Sequence, residues 1–303
     1  MSPRETRLLL ITADDFGVGP ETSRGILDLA ARGALTSTVM LVTSPFAEEG
    51  IAQWRRSGSH LEIGWHPCLT LDSPILPPDR VPTLVDERGR FRPLGAFLKN
   101  LIRGRLLRTE IESEFRAQLA RFVDLVGHPP RNVNAHHHVH IFGPVGDALR
   151  SVLADVLPRP HVRRVVEPWG TLAHIRGARL KRYALGLFGR RAGRRQTAAG
   201  FCATEWVLGV TDPPHVRDPE FFRRWLKRAP GKVLELTCHP GHLDAALDGR
   251  DGSLTDGQLH RRVREFELLS DPGFLDAVRE AGFTLATAAD LCGQPATGTR
   301  NAG

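Results

Sequence analysis

An α/β fold with mostly parallel strands is what this 303-residue sequence predicts, and three features carry that expectation. Short runs rich in β-branched residues or leucine alternate with longer stretches of helical periodicity, the pattern of strands joined by crossover helices. Hydrophobic residues make up 41% and charged residues 25%, enough apolar surface for one large core and unlike a disordered chain. Aspartates and histidines fall where the proposed strands end, which is where parallel sheets and barrels place their ligand sites.

The strands are expected at 8–13, 38–42, 61–66, 133–138, 161–165, 233–238 and 284–286, each a short apolar run. Between them, helices are expected near 21–32, 46–57, 109–126, 144–156, 172–188, 218–228, 257–269 and 273–281. Gly127-His-Pro-Pro should end the helix before the fourth strand, because glycine accepts a left-handed C-cap and proline cannot continue a helix. Gly282 should close the last helix in the same way. The Pro-rich stretch 67–93 lacks periodicity and reads as a long loop with a small hairpin in it. No repeat or linker divides the chain, so 1–292 is expected to be one domain and 293–303 a disordered tail.

No apolar run reaches the ~20 residues that cross a bilayer, and the first apolar run passes straight into Asp14 and Asp15 without a cleavage site. A cytoplasmic protein is expected. Cys68, Cys202, Cys238 and Cys292 are far apart and form no CxxC pair, so reduced thiols are expected rather than a disulfide or a thiolate zinc site. The formal charge is +7, and eight basic residues with no acidic one lie between Arg176 and Arg195. There Leu180, Tyr183, Ala184, Leu187 and Phe188 recur at helical spacing beside arginines. Two readings stand: the apolar stripe packs on the fold and the arginines are solvated, or the helix docks on an anionic membrane. Specific nucleic-acid binding lacks aromatic interleaving or a recognised motif.

Four strand ends carry the chemistry. Asp14-Asp15 ends the first, His66 the third, His136-His137-His138 the fourth with His140 just beyond, and His239 the sixth. Taken singly, each has an ordinary explanation: a strand-end histidine is usually hydrogen-bonded at the surface, and neighbouring aspartates usually make a turn or an N-cap. Their convergence on one mouth favours a site. Strand alternation puts Asn134, His136 and His138 on one face and His137 on the other, so at most two of the triplet would point inward. Carboxylate oxygen with imidazole nitrogens suits a catalytic divalent ion that keeps an open position. His60, His128, His161, His174, His215 and His260 have no such setting. Phe16, Trp65, Trp169 and Trp206 lie near strand ends, where each is either a sugar-stacking surface or core.

Thr12-Ala-Asp-Asp-Phe-Gly17 resembles the opening motif of the YdjC-like carbohydrate deacetylases, a group that includes chitooligosaccharide and hopanoid-associated deacetylases. Thr36-Ser-Thr38, Gly64-Trp-His66, the run from Asn134 to His140, and Cys238-His-Pro-Gly241 follow in the family's order, so the resemblance spans nearly the whole chain. It implies a distorted (β/α) barrel related to the polysaccharide deacetylases, one divalent ion such as zinc or magnesium, and removal of an N-acetyl group from a short glycan. Carried over by position, Asp15, His66 and His136 resemble the ligands, Asp14 the general base, and His239 the general acid or its orienting partner. Chitooligosaccharide members commonly have Asp-Ser before the histidine triplet; Asn134-Ala135 here is more similar to the hopanoid-associated branch, which leaves the glycan open, short or lipid-linked.

The chemistry implied is amide hydrolysis, with a cation lowering the pKa of water and polarising the carbonyl. Asp14 would take the proton, a backbone N–H near Trp65 would help hold the oxyanion, and His239 would protonate the amine. Asn134, His138 and His140 would orient the ligands or meet the substrate. The competing readings are a metal-dependent phosphoesterase and a catalytically inactive sugar-binding barrel. A homodimer is left open.

Overall fold

A computed structural model describes residues 7–250 and 257–293. The chain runs β1 (Arg7–Phe16), α1 (Pro20–Ala31), β2 (Ser37–Met40), α2 (Ala47–Ser57), β3 (Glu62–Trp65), α3 (Leu94–Ile102), α4 (Arg108–Val126) and β4 (Asn132–Val133). It continues through α5 (Gly143–Leu153), β5 (His161–Val162), α6 (Trp169–His174), α7 (Arg179–Ala198), β6 (Trp206–Leu208) and α8 (Phe221–Arg228). It ends with β7 (Val233–Cys238), α9 (Gln258–Ser270), α10 (Pro272–Glu280), β8 (Phe283–Leu285) and α11 (Ala288–Leu291). The expectation for the tail lies outside the described residues from position 294 onward.

The apolar run of β1 has its last eight residues buried in succession, so it has no face for solvent and must pair on both edges. One edge takes β7, in register from Leu8 opposite Val233 to Ala13 opposite Cys238. The other takes β8 at its start and β2 at its end. The remaining strands extend this parallel sheet in the order β5-β4-β3-β2-β1-β7-β6. Its two ends meet: the Val162 N–H donates to the Cys202 carbonyl at 2.8 Å and the Val207 N–H to the Val166 carbonyl at 2.9 Å. The sheet is therefore a distorted (β/α) barrel, as the resemblance implied.

The expected ends hold where local chemistry decides them. Gly127 takes φ 92° after α4, and its N–H returns to the Val123 carbonyl at 2.8 Å. In the 67–93 loop, Val85 bridges Phe91 as the expected hairpin, and buried carboxylates of α4 staple the loop down. Glu114 accepts from the Ile75 and Leu76 N–H groups at 2.9 and 3.0 Å, and Glu110 from the Thr83 N–H at 2.8 Å.

Other expectations are corrected. The strand at 133–138 stops at Val133, because His137 and His138 take φ 54° and 58° and turn the chain into a 3₁₀ segment, His136–Ile141. The helix at 172–188 divides into α6 and α7, with Gly177 and Ala178 at positive φ between them. Three elements were not expected: α3, β6 and α11. Cys202 and Cys292 form a disulfide, with Cα atoms 5.7 Å apart, while Cys68 and Cys238 are free and buried. The closing of the barrel brings that pair together across 90 residues of sequence, a separation that carries no sequence signal.

Helix α7 departs from the usual amphipathic arrangement. Arg182, Gly189, Ala192, Gly193 and Gln196 are its buried residues. A side chain at Gly189 would collide with the Val165 carbonyl, so the helix lies close to the barrel on small residues. Its apolar stripe faces outward instead, with Leu180 83% and Leu187 54% exposed. The reading in which that stripe packs on the fold is thereby overturned. Among the described residues, no helix is long and apolar enough to cross a membrane.

Neutral histidines inside the barrel set a pH dependence. His161 donates from Nδ1 to Asn132 at 3.1 Å and accepts the Thr204 N–H at Nε2 at 3.2 Å, and burial lowers its pKa. His140 accepts the Ala135 N–H and donates to the Arg163 carbonyl, and burial pushes its pKa down to about 4. The unfolded chain binds protons first as pH drops below 6.5, the usual histidine value, so stability falls between there and about 4. The slope should reach ~1.4 kcal/mol per pH unit for each such histidine. Urea unfolding across this window should show the midpoint falling with acidification, and His161→Gln should flatten the fall; a pH-independent midpoint would refute it.

Candidate metal centre

The site begins with a β-bulge. The register of β1 with β2 slips between Ala13 and Phe16, and Asp15 sits at φ 68°. A bulge breaks the alternation of side chains and re-aims them. Asp14 and Asp15, neighbours that a regular strand would send to opposite faces, both line a cavity of about 480 Å³ at the carboxyl ends of the strands. His66, His136, His137, His138 and His239 line the same cavity.

Asp15, His66 and His136 are all buried and offer ligand atoms within 4.8 Å of one another. The His66 Nδ1–H donates to the Asn134 carbonyl at 2.6 Å, which fixes the tautomer and leaves Nε2 bare, 3.3 Å from Asp15 Oδ1. His136 Nδ1 lies 3.0 Å from the same oxygen. Arg262 holds Asp15 Oδ2 at 2.7 Å. Burial would raise the Asp15 pKa, but Arg262 and His136 hold it well below the carboxylate range, so it stays an anion. One carboxylate oxygen and two imidazole nitrogens converging beside an open cavity fit a small divalent ion with a free coordination position. Among the described residues this is the one such group.

Beside it, Asp14 is gripped by Arg163, whose two terminal nitrogens donate to its oxygens at 2.6 and 2.8 Å. Arg163 is fully buried and also pairs with Glu235 at 2.7 Å. Burial pushes the Asp14 pKa up, but the guanidinium outweighs that and holds it far below the usual range. Thr237 donates to Asp14 Oδ2 at 3.2 Å, and Asn134 lies 3.4 Å from Oδ1. His239 Nε2 lies 3.9 Å from Asp14 Oδ2, while Arg261 reaches its Nδ1 at 3.2 Å. Arginine only donates, so Nδ1 accepts and the neutral ring carries its proton on Nε2. Burial first, then Arg261, pushes the His239 pKa down to about 4.

Residues 8–280 match a model of the YdjC-like protein family. The chain belongs to this family. A carbohydrate deacetylase from Enterococcus faecalis is 31% identical over 282 residues, covering 92% of this chain and 95% of its own. A chitooligosaccharide deacetylase from Serratia marcescens is 30% identical over 290 residues, covering 94% of this chain and 99% of its own. The crystal structure of a putative cellobiose-phosphate cleavage protein from Enterococcus faecalis matches with a TM-score of 0.75 at 27% identity, covering 95% of this chain and 99% of that one.

In this YdjC-like protein the remaining expected residues take distinct places. Asn134 contacts both His66 and Asp14, and His140 is buried against the Arg163 carbonyl. His138 faces the cavity, and its buried Nδ1 has no hydrogen-bond partner among the described residues. His137, expected to turn away, also lines the cavity and bonds Thr70 at 2.9 Å, because the left-handed turn replaces strand alternation. Trp65 is corrected: it is fully buried, edge-on to Phe115 at 5.9 Å, and offers no sugar-stacking face. The His66 N–H and the Trp65 carbonyl are both taken up by sheet bonds, so the expected oxyanion donor there is not supported.

Sequence reasoning missed Arg163, Glu235, Arg261 and Arg262. Glu235 did leave a signal, since it is a charge interrupting an otherwise largely apolar strand, whereas Arg163 stands beside His161 and Arg164 and left little. Arg261 and Arg262 left none, because arginines on a helix are ordinary until the helix is placed. As a test, Asp15→Asn, His66→Ala and His136→Ala should each weaken zinc binding by more than about 100-fold in a competition titration, beyond the 10–100-fold typical of orienting partners. Asp14→Asn should keep full ion stoichiometry; loss of the ion there would make Asp14 a ligand.

Proposed function

We propose that this protein is a metal-dependent carbohydrate N-deacetylase acting on an N-acetylated sugar, short or lipid-linked. The observation that carries the reading is the adjacency of two differently tuned carboxylates in one cavity: Asp15 turned to two imidazoles, and Asp14 held ionised by Arg163 beside them. The names of the Enterococcus and Serratia relatives support the same chemistry. A divalent ion on Asp15, His66 and His136 would supply Lewis-acid polarisation of an amide carbonyl and of water, and the nitrogen-rich donor set suits zinc better than magnesium.

The protein groups divide the proton work. Asp14 is always ionised at working pH, so it accepts the proton of the attacking water and returns it to the departing amine. Arg163 keeps that carboxylate in place and makes it a weak base, ready to release the proton. His239 carries its proton on Nε2, facing the same space, and is uncharged near neutral pH. It acts as a hydrogen-bond donor and orienting partner rather than as an imidazolium acid, the alternative that Arg261 on Nδ1 disfavours.

No observation favours the competing readings. A phosphoesterase usually gathers a second metal, and an inactive barrel would be expected to have lost one of Asp14, Asp15, His66, His136 and His239, all of which line the cavity.

Acetate release from a panel of N-acetylglucosamine-containing glycans, with metal-stripped and metal-restored protein, tests the reading; phosphate ester cleavage without acetate release would overturn it. Asp14→Asn should lower kcat by roughly 10²–10⁴. His239→Ala should lower it by about 10²–10³, the worth of one donor to a developing charge. The kcat/KM profile should show no alkaline limb that disappears in His239→Ala; such a limb near pH 7 would restore the imidazolium acid.

A further inference from the structure

Helix α7 has two working faces. Lys181 lines the catalytic cavity. One residue earlier, Leu180 points out to solvent, as does Leu187 two turns on. Trp169 of α6, 66% exposed, stacks on Tyr183 with ring centres 6.0 Å apart, and together with Leu180 they wall an open apolar groove of about 430 Å³. In the C-terminal half of the same face, Arg190, Arg191 and Arg194 are exposed, and none has an acidic partner among the described residues. The usual rule buries a helix's apolar stripe against its own fold. Here the stripe is left outside, and a patch of this kind marks a contact surface.

We infer that the outward face of α6 and α7 docks the protein on an anionic lipid bilayer, holding the catalytic mouth at the headgroup level. Leucines suit the acyl boundary, tryptophan and tyrosine the interface, and unpaired arginines the negative surface. A second copy of this chain fits the face poorly, because it would bring the same arginines and no carboxylate from this helix to meet them. The orientation rests on the deacetylase reading for its purpose, presentation of a lipid-linked glycan to the site, whereas the docking itself is read without any activity.

The test is co-sedimentation of the full chain with phosphatidylglycerol-rich and with pure phosphatidylcholine vesicles, at low and high salt. Binding should require the anionic lipid and weaken with salt. Arg190→Gln, Arg191→Gln and Arg194→Gln combined should lower the partition coefficient about 100-fold, roughly fivefold for each arginine. Leu180→Ser with Leu187→Ser should lower it as well. Both variants change exposed residues, and acetate release from a soluble glycan, unchanged in them, reports that the fold is intact. Equal partition into both vesicle types, or binding that ignores salt and both variants, overturns the docking. So does a concentration-dependent dimer that the leucine variant dissolves. Vesicle binding as expected with no acetate release from any glycan would refute the deacetylase reading and leave the docking standing.

Discussion

One buried guanidinium organises the centre of this protein. Arg163 has no exposed surface, and a charge in that position is tolerable only when its partners are also charged and fully hydrogen-bonded. Asp14 and Glu235 supply the opposing charge from β1 and β7, and His140 holds the Arg163 carbonyl. Three segments distant in sequence are thus held to one geometry. Removal of Arg163 would leave two carboxylates uncompensated in the core, and breaking a buried ion pair in this way typically destabilises by about 3–5 kcal/mol. The same contact sets the chemistry, since it keeps Asp14 ionised in surroundings that would otherwise favour its protonated form.

Local strain does the rest. Among the described residues, three of the five left-handed non-glycine positions, Asp15, His137 and His138, belong to the cavity wall. Such conformations persist only when surrounding packing over-determines them, and they concentrate at functional sites. Here they are what lets consecutive residues serve one cavity. Asp14 and Asp15 sit side by side with different partners, one held by Arg163 and one turned to the imidazoles of His66 and His136. Helix α9 supports the site from outside the barrel, Arg262 reaching Asp15 and Arg261 reaching His239. Glu265 on that helix accepts from Arg261 and from the His239 N–H, so His239 and the Asp15 cluster share one scaffold.

The rim serves a different purpose from the axis. The axis is closed by parallel strands and charge networks, whereas α7 lies on the barrel through Arg182, Gln196, glycines and an alanine and turns Leu180, Tyr183 and Leu187 outward. A helix attached this way can wall the cavity on one flank through Lys181 and present an apolar and basic surface on another.

The sequence alone determined the elements whose cause is local. The apolar run of β1 and the run of β7, broken by Glu235, read as buried strands, and Gly127 and Gly282 ended their helices because left-handed caps favour glycine. Strand-end placement brought Asp14, Asp15, His66, His136 and His239 to one mouth, since side chains at the carboxyl ends of parallel strands share a side of the sheet. Tertiary structure alone decided what depends on partners far away in the chain. Alternation failed at Asp15 and at His137 and His138, because a bulge and a left-handed turn answer to neighbouring strands rather than to the local pattern. The Cys202–Cys292 pair, the reach of Arg261 and Arg262, and the outward stripe of α7 were likewise invisible, because periodicity shows that a helix has two faces but only packing chooses which one meets the core.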